Sequence, residues 1–216
     1  MKGAILSFIF VFSILAGYSQ NKERFSIGVN YGLNGNFFVG SYDELSPSGE
    51  VSLLKKNFIG TIAGLQFSYK IGKNSNLGIA YNRSINKGKK NYHAIINGVD
   101  IFVEDFNIRH VNNFYELFYE HGFSKKTMDW SYHAGVFLLS SAQQEIEFDN
   151  FLQAAFVQER NYQNSGLSEG GVFAGLQYSK KIDTRFRLGL KTRVYYLIST
   201  GSFEAISLTP TLSYYF

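Results

Sequence analysis

Four residues have the types and spacing that could do hydrolytic chemistry. Ser131 and His133 lie two apart, and Glu116 and Glu120 lie a strand-length upstream. A hydroxyl, an imidazole and a carboxylate are the parts of a nucleophilic triad. They work only within hydrogen-bond reach of one another. The residues around them argue against that role. Ser131, His133 and Gly135 alternate with Trp130, Tyr132, Ala134 and Val136, which is a strand with one small, polar face and one apolar face. If the apolar face meets lipid, Ser131 and His133 point into the lumen of a closed sheet, away from any membrane-borne substrate. No catalytic residue is therefore expected. The other histidines, His93, His110 and His121, are scattered. No phosphate loop, zinc spacing or calcium loop occurs, so no cofactor and no metal is expected. The absence of Cys removes thiolate ligands, thiol nucleophiles and disulfides.

A second set of charges shares the same inward parity. Lys70, Arg187, Lys191 and Arg193 would face the lumen together with Glu116 and Glu120. An eight-stranded barrel is just wide enough inside for its own side chains. Charges there are tolerable when paired and hydrogen-bonded. The expectation is a lumenal ion-pair network that plugs the barrel, unless some of these charges sit solvated in its mouths.

The elements that position these residues are strands. In the last one, Phe203 to Phe216, Leu208, Pro210, Leu212, Tyr214 and Phe216 share one face, and Ser207, Thr209, Thr211, Ser213 and Tyr215 share the other. A strand that runs to the final residue suits a barrel whose closing strand pairs back to the first. Leu212, Tyr214 and Phe216 then form the terminal signal read by the barrel-insertion machinery. The first strand, 25–33, alternates Phe25, Ile27, Val29, Tyr31 and Leu33 with Ser26, Gly28, Asn30 and Gly32. Further strands are expected over 58–70, from 76 towards 96, 99–121, 128–140, 170–179 and 185–199. The expected fold is thus an all-β, eight-stranded antiparallel up-and-down transmembrane barrel over 20–216. Its connections alternate long and short, as extracellular loops and periplasmic turns do.

Two hairpins test the reading. Asn97-Gly98 is a strong two-residue turn signal. A turn there places Leu77 opposite Phe118, whose facings disagree. A one-residue slip reverses every side chain, so a β-bulge is expected near Lys87–Lys90, or else a longer turn. A three-residue loop, Thr200-Gly201-Ser202, would set Leu190 against Leu212 and Phe186 against Phe216.

Composition agrees. Aromatics make up 17% of the chain, with 15 Tyr, 21 Phe and 21 Gly. No apolar run after the N-terminal one is long enough for a spanning helix either. That first run, Ala4 to Leu15 after Lys2, is too short to span. With small residues at Gly17 and Ser19 it reads as a signal peptide, 1–19, cleaved after Ser19. Without Lys2 the chain carries about +3, too mild a charge to argue for nucleic acid. The long connections are apolar at Phe37-Phe38-Val39, Leu53-Leu54 and Phe151–Val157, and a hairpin is expected around Asp149-Asn150. These segments either pack the loops together or continue the sheet beyond the membrane, where an edge could bind a protein partner by strand addition.

Over Phe114–His121, Trp130–Leu139, Gly170–Lys180, Arg185–Ile198 and Ser207–Phe216 the chain resembles the PorT-like group of outer-membrane β-barrel proteins. In plan it is similar to small barrels of the OmpX and OmpA type. The resemblance implies an integral protein of the bacterial outer membrane and supplies no catalytic residues. The leading expectation is a non-enzymatic barrel, structural or adhesive, that meets partners through its extracellular loops. The second is a narrow porin-like channel or an accessory of protein secretion. A lipid-modifying barrel enzyme comes third, and a soluble ligand-binding barrel fourth.

Overall fold

The computed structural model describes residues 24–36, 58–96, 99–125, 128–149, 154–161 and 169–216. The expected leader with its cleavage site, and the apolar segments Phe37-Phe38-Val39 and Leu53-Leu54, lie outside the described residues. Side chains are described over 24–36, 59–87, 109–123, 129–141 and 169–216.

Among the described residues nine strands follow in order: β1 (Phe25–Asn36), β2 (Phe58–Lys70), β3 (Ser75–Ile96), β4 (Val99–Lys125), β5 (Met128–Asp149), β6 (Ala154–Asn161), β7 (Glu169–Lys181), β8 (Phe186–Leu197) and β9 (Ser202–Tyr215). They form one antiparallel sheet in the order β4-β3-β2-β1-β9-β8-β7-β5, and the β4–β5 pairing closes it into an eight-stranded barrel. The strand outside the ring, β6, pairs among the described residues only with the far end of β5, from Ala142↔Asn161 to Asp149↔Ala154. That is the hairpin expected around Asp149-Asn150. The first and last strands close the ring from Ser26↔Tyr215 to Gly35↔Ile206, and the Phe216 amide donates to the Phe25 carbonyl at 2.9 Å.

The facings follow the alternation in the sequence. Val29, Tyr31, Leu33, Leu117, Val136, Leu138, Leu188 and Leu212 are exposed on the outer wall. Asn30, Gln66, Asn82, Glu116, Lys191 and Thr209 are buried within the ring. Aromatic pairs mark both rims of the apolar belt. Phe25–Tyr69, Trp130–Tyr178 and Phe186–Tyr214 lie at the end with the short turns, with ring centroids 4.9, 5.2 and 5.0 Å apart. Tyr81–Tyr115 and Tyr196–Phe203 lie at the other end, both at 5.3 Å. Such girdles sit at the two membrane–water interfaces.

The lumen is filled by pairing absence with bulk. Gly64 stands between Asn30 and Asn82 on the neighbouring strands. The Asn30 amide reaches across it to Asn82 Oδ1 at 3.0 Å. Four residues higher, Asn34 reaches across Gly60 to Asn86 Oδ1 at 3.2 Å. The same rule places Phe118 opposite Gly78, Phe137 opposite Gly171 and His133 opposite Gly175. A Cβ on Gly64 would lie 1.9 Å from Asn82 Oδ1 and 2.6 Å from the Tyr81 carbonyl oxygen.

Two β-bulges set the register. In the β3–β4 hairpin, Ile96 pairs with Val99 and Leu77 with Tyr119, with a register shift between Lys90 and Tyr92. The expected bulge therefore exists, and it restores Leu77 and Tyr119 to a common outer face. In the β8–β9 hairpin the expected register is corrected. Leu197 pairs with Ser202, Leu190 with Pro210 and Leu188 with Leu212, with a shift between Tyr195 and Tyr196. The loop is thus four residues, 198–201, closed by Gly201 in the left-handed region at φ 63°. There a side chain would be strained. The lower part of this ladder is two residues from the expected register. A shift of two keeps every facing, so alternation could not distinguish the registers. The bulge also makes Glu204 and Ala205 consecutive buried residues.

Gly64→Ala should destabilise the barrel by about 1–3 kcal/mol, because one of the atoms it meets is backbone and cannot yield. Gly28→Ala should cost less, under about 1 kcal/mol, because the nearest atoms its Cβ would meet, at 2.9 Å, belong to the Gln66 side chain and not to backbone. Urea titration of the protein folded into lipid vesicles checks both; equal costs would refute this account of lumen packing.

Candidate functional site: a filled lumen

At the short-turn end the lumen opens into a polar cavity of about 220 Å³, lined among others by Lys70, Glu120, Asp129, Ser131 and Arg187. Arg187 Nη1 pairs with Asp129 Oδ2 at 2.9 Å, and its guanidinium lies 4.7 Å from the Tyr215 ring centroid. The Ser131 hydroxyl donates to Glu120 Oε1 at 2.7 Å. Lys70 is exposed at the end of β2. The expected set of six lumenal charges is therefore not one network. Lys70 joins no ion pair among the described residues, Glu120 is held by a hydroxyl, and Arg187 takes a partner, Asp129, that parity had not singled out.

The remaining three charges meet at mid-barrel. Arg193 Nη1 lies 2.7 Å from Glu116 Oε2, with both side chains buried. Glu116 Oε1 also accepts from Asn82 Nδ2 at 2.7 Å and from the Tyr195 hydroxyl at 2.8 Å. Arg193 Nε donates to His133 Nε2 at 3.2 Å. Its guanidinium lies 5.2 Å from the Phe173 ring centroid and 5.8 Å from that of Phe118. Lys191 Nζ donates to Gln66 Oε1 across the lumen. The pair is thus desolvated yet enclosed by donors and ring faces, the condition under which a buried ion pair is tolerated.

Above the ion pair lies an aromatic plug. Phe114, Phe137 and Phe173 surround Tyr195, with ring centroids 4.5, 5.4 and 5.7 Å from its own. Phe114 and Tyr195 are wholly buried, at 0% exposure. Leu139 and Leu197 complete the layer. The expected lumenal set holds charges and small polar residues and does not single out these apolar side chains. The overlooked signal is a run such as Phe137-Leu138-Leu139, where both parities are apolar.

A closed ring of hydrogen bonds caps the plug. Ser141 donates to Asn112 Oδ1 at 2.6 Å, so its oxygen accepts from His110 Nε2, also at 2.6 Å. His110 Nδ1 is then an acceptor and takes a bond from Asn36 Nδ2 at 3.1 Å. Asn112 Nδ2 donates to Glu204 Oε1 at 2.7 Å, and Asn36 Nδ2 to the same oxygen at 3.3 Å. The ring joins β1, β4, β5 and β9, and every bond in it has a defined direction. No local spacing announces it, because its five members come from four strands.

These directions assign roles to His110 and His133. His133 offers its Nε2 lone pair to Arg193, and Ser131 gives its proton to Glu120. The hydroxyl and the imidazole that resembled a triad are thus engaged separately. His110 donates to Ser141 rather than accepting from it, the reverse of a general base. Among the described residues no group of three or more His, Asp or Glu could hold a metal.

No protein-family model and no curated protein matches the chain. Solved structures do. Neisserial surface protein A, from Neisseria, matches with a TM-score of 0.52 over 90% of this chain and 98% of its own, at 10% identity. OprG of Pseudomonas aeruginosa follows at 0.47, 9% identity and 91% and 98% coverage. Ail, the attachment invasion locus protein of Yersinia pestis, follows at 0.44, 12% identity and 90% and 100% coverage. At such identities the likeness concerns the fold alone. The plan is that of small outer-membrane barrels; the narrower PorT-like kinship gains no support. A closed barrel with an apolar belt between two aromatic girdles places the chain in a bacterial outer membrane.

Arg193→Met should destabilise the barrel by about 3–5 kcal/mol, because it strands the Glu116 carboxylate in a dry lumen. Combining it with Glu116→Gln should recover most of that loss. Unfolding midpoints of the single and double variants in vesicles give the coupling; additive losses would show that the two side chains do not form a unit.

Proposed function

We propose that this protein is a non-conducting, non-enzymatic outer-membrane platform that presents two β-hairpins outside the cell for capture of a protein partner. The observation that carries the reading is strand length. A barrel strand needs about 9–11 residues to cross the membrane. The strands β1, β2, β7, β8 and β9 have 12 to 14 residues, whereas β3, β4 and β5 have 22, 27 and 22. The excess lies at the end opposite the short turns, which is the extracellular end in such barrels.

The extensions leave the barrel as two separate ribbons. The β2–β3 ladder ends at Gly60↔Asn86, and the β4–β5 ladder ends at Val111↔Ala142. Beyond those points β3 and β4 pair only with each other, and β5 only with β6, among the described residues. Among the described residues, each ribbon therefore carries backbone donors and acceptors without a strand partner along its edges. Exposed edges of this kind template strand addition by an extended partner segment. The filled lumen supports the same reading, since a conducting path would have to pass the Tyr195 cluster and the hydrogen-bond ring. The engaged Ser131 and His133 favour a binding role over a hydrolytic one.

Three measurements test the reading. Asp100→Cys introduces a single thiol into a chain that has none. It should react with a membrane-impermeant maleimide on intact cells; labelling only after lysis would invert the topology. Purified protein in a planar bilayer should show no steady current, and Phe114→Ala combined with Tyr195→Ala should produce a leak. A steady wild-type current would favour the channel reading. Replacing 88–108 with a two-residue Asn-Gly turn should abolish attachment of expressing cells to a protein-coated surface while leaving the barrel folded. Unchanged attachment would remove the hairpin from the proposal.

A further inference from the structure

The polar cavity at the short-turn end is a blind pocket. It opens to the periplasm, and above it the lumen is shut by Lys191 bonded to Gln66, by the Arg193–Glu116 pair and by the aromatic plug. Neither lumen packing nor hairpin display requires a cavity there. On its wall Gln177 is only 6% exposed and makes no hydrogen bond among the described residues. A buried carboxamide without a partner is costly. Whatever fills the cavity must therefore offer it a donor or an acceptor.

Two opposite charges face the same space. Lys70 pairs across the sheet with Asn76, and Asn76 with Glu120. The three lie on adjacent strands, so the Lys70 and Glu120 backbones are roughly 10 Å apart at the usual strand spacing. Side chains of that length could meet across Asn76, yet no ion pair joins them. Glu120 gives one oxygen to the Ser131 hydroxyl, and its other oxygen has no partner among the described residues. Ser131 in turn pairs across the sheet with Gln177. A continuous arc from β2 through β3, β4 and β5 to β7 thus carries an ammonium, an amide, a carboxylate, a hydroxyl and a second amide.

The opposite wall is neutral, because Arg187 and Asp129 pair with each other. Arg24 and Lys73 stand at the mouth and join no ion pair among the described residues. Four cations therefore line the cavity against two carboxylates. Water alone would solvate Gln177, but it does not account for an ammonium and a carboxylate held apart over one cavity.

We infer that this cavity binds a small acidic zwitterion, an amino acid or dipeptide with one ammonium and two carboxylates. Its ammonium sits on Glu120, one carboxylate on Lys70, and a polar group between them on Gln177. The second carboxylate points towards Arg24 and Lys73 at the mouth. The excess of cations selects a net negative ligand, and Glu120 selects against an anion that lacks an ammonium. Size agrees, since about 220 Å³ falls below the roughly 300–1,000 Å³ of clefts for drug-sized ligands. The site lies at the opposite end from the hairpins and does not depend on them.

Isothermal titration calorimetry of the detergent-purified protein tests the site, with alanyl-glutamate as the probe. Wild-type protein should bind one equivalent. Lys70→Ala and Glu120→Gln should each weaken binding about tenfold or more, the loss of one charge-assisted contact. Lys181→Ala removes an exposed lysine at the same end that does not line the cavity, and should bind as wild type. N-acetyl-alanyl-glutamate has no ammonium. It should bind wild type as weakly as the free dipeptide binds Glu120→Gln, and Glu120→Gln should weaken it no further. Absence of saturable binding by wild type would overturn the proposal, as would the acetylated dipeptide binding as tightly as the free one. Equal losses in Lys181→Ala and Lys70→Ala would reduce the effect to the charge of the rim and overturn it too. The heat-dependent gel mobility of folded barrels identifies any variant that failed to fold. Lys70 is exposed, so its variants should fold. Lys70→Arg should keep most of the binding, whereas a loss equal to that of Lys70→Ala would refute a charge-based contact.

Discussion

Ring closure is the constraint on which everything else rests. In hydrocarbon no water can satisfy an open sheet edge, so each backbone donor and acceptor at membrane depth must find a partner within the protein. The β1–β9 ladder meets that demand, and it runs to the end of the chain, where the Phe216 amide completes it. Once the ring is shut, each strand has an inside and an outside. A residue's parity along its strand then decides whether it meets lipid or lumen. The apolar belt, the girdles and the buried polar interior are consequences of that single choice.

Closure creates a second problem, because an eight-stranded ring leaves little room inside. The chain solves it by setting a glycine opposite most large inward side chains. Phe118 lies over Gly78, Phe137 over Gly171, His133 over Gly175 and Asn82 over Gly64. This arrangement lets an arginine, a glutamate and, above them, four aromatic rings fit inside the ring. The ion pair is then a filler as much as a bond. Its neighbours satisfy it in part, with Arg193 Nη2 left without a hydrogen-bond partner, and its net stabilisation over an apolar pair of equal volume is small.

Most of the barrel is legible in the sequence, for a physical reason. Lipid and lumen differ sharply in polarity, so Val29 against Asn30, or Leu212 against Thr211, reports facing directly. Register is less legible. A slip of one residue contradicts the alternation and revealed the β3–β4 bulge, whereas a slip of two is silent and concealed the true β8–β9 pairing. The candidate site was legible in part. Glu116, Lys191 and Arg193 follow from parity because charge cannot face lipid. Phe137, Phe173 and Tyr195 share the inward parity, but their residue type does not announce it, because an apolar side chain is acceptable on either face. The Asn36–His110–Ser141–Asn112–Glu204 ring is beyond reading from one strand at a time.

The places where strict alternation fails are also where the molecule departs from a plain barrel. The bulge in β9 turns Glu204 inward beside Ala205, which gives the hydrogen-bond ring its shared acceptor. The bulge in the β3–β4 ladder lies within the extension that leaves the membrane. A bulge bends its strand and increases its twist, so it can redirect a side chain or a ribbon without breaking the ladder on either side. In the membrane belt such a kink would expose backbone groups to hydrocarbon. Both bulges lie towards the extracellular end, where water or buried partners can satisfy the displaced groups. The lower half of the barrel therefore keeps the strict period of two, and the upper half is free to depart from it.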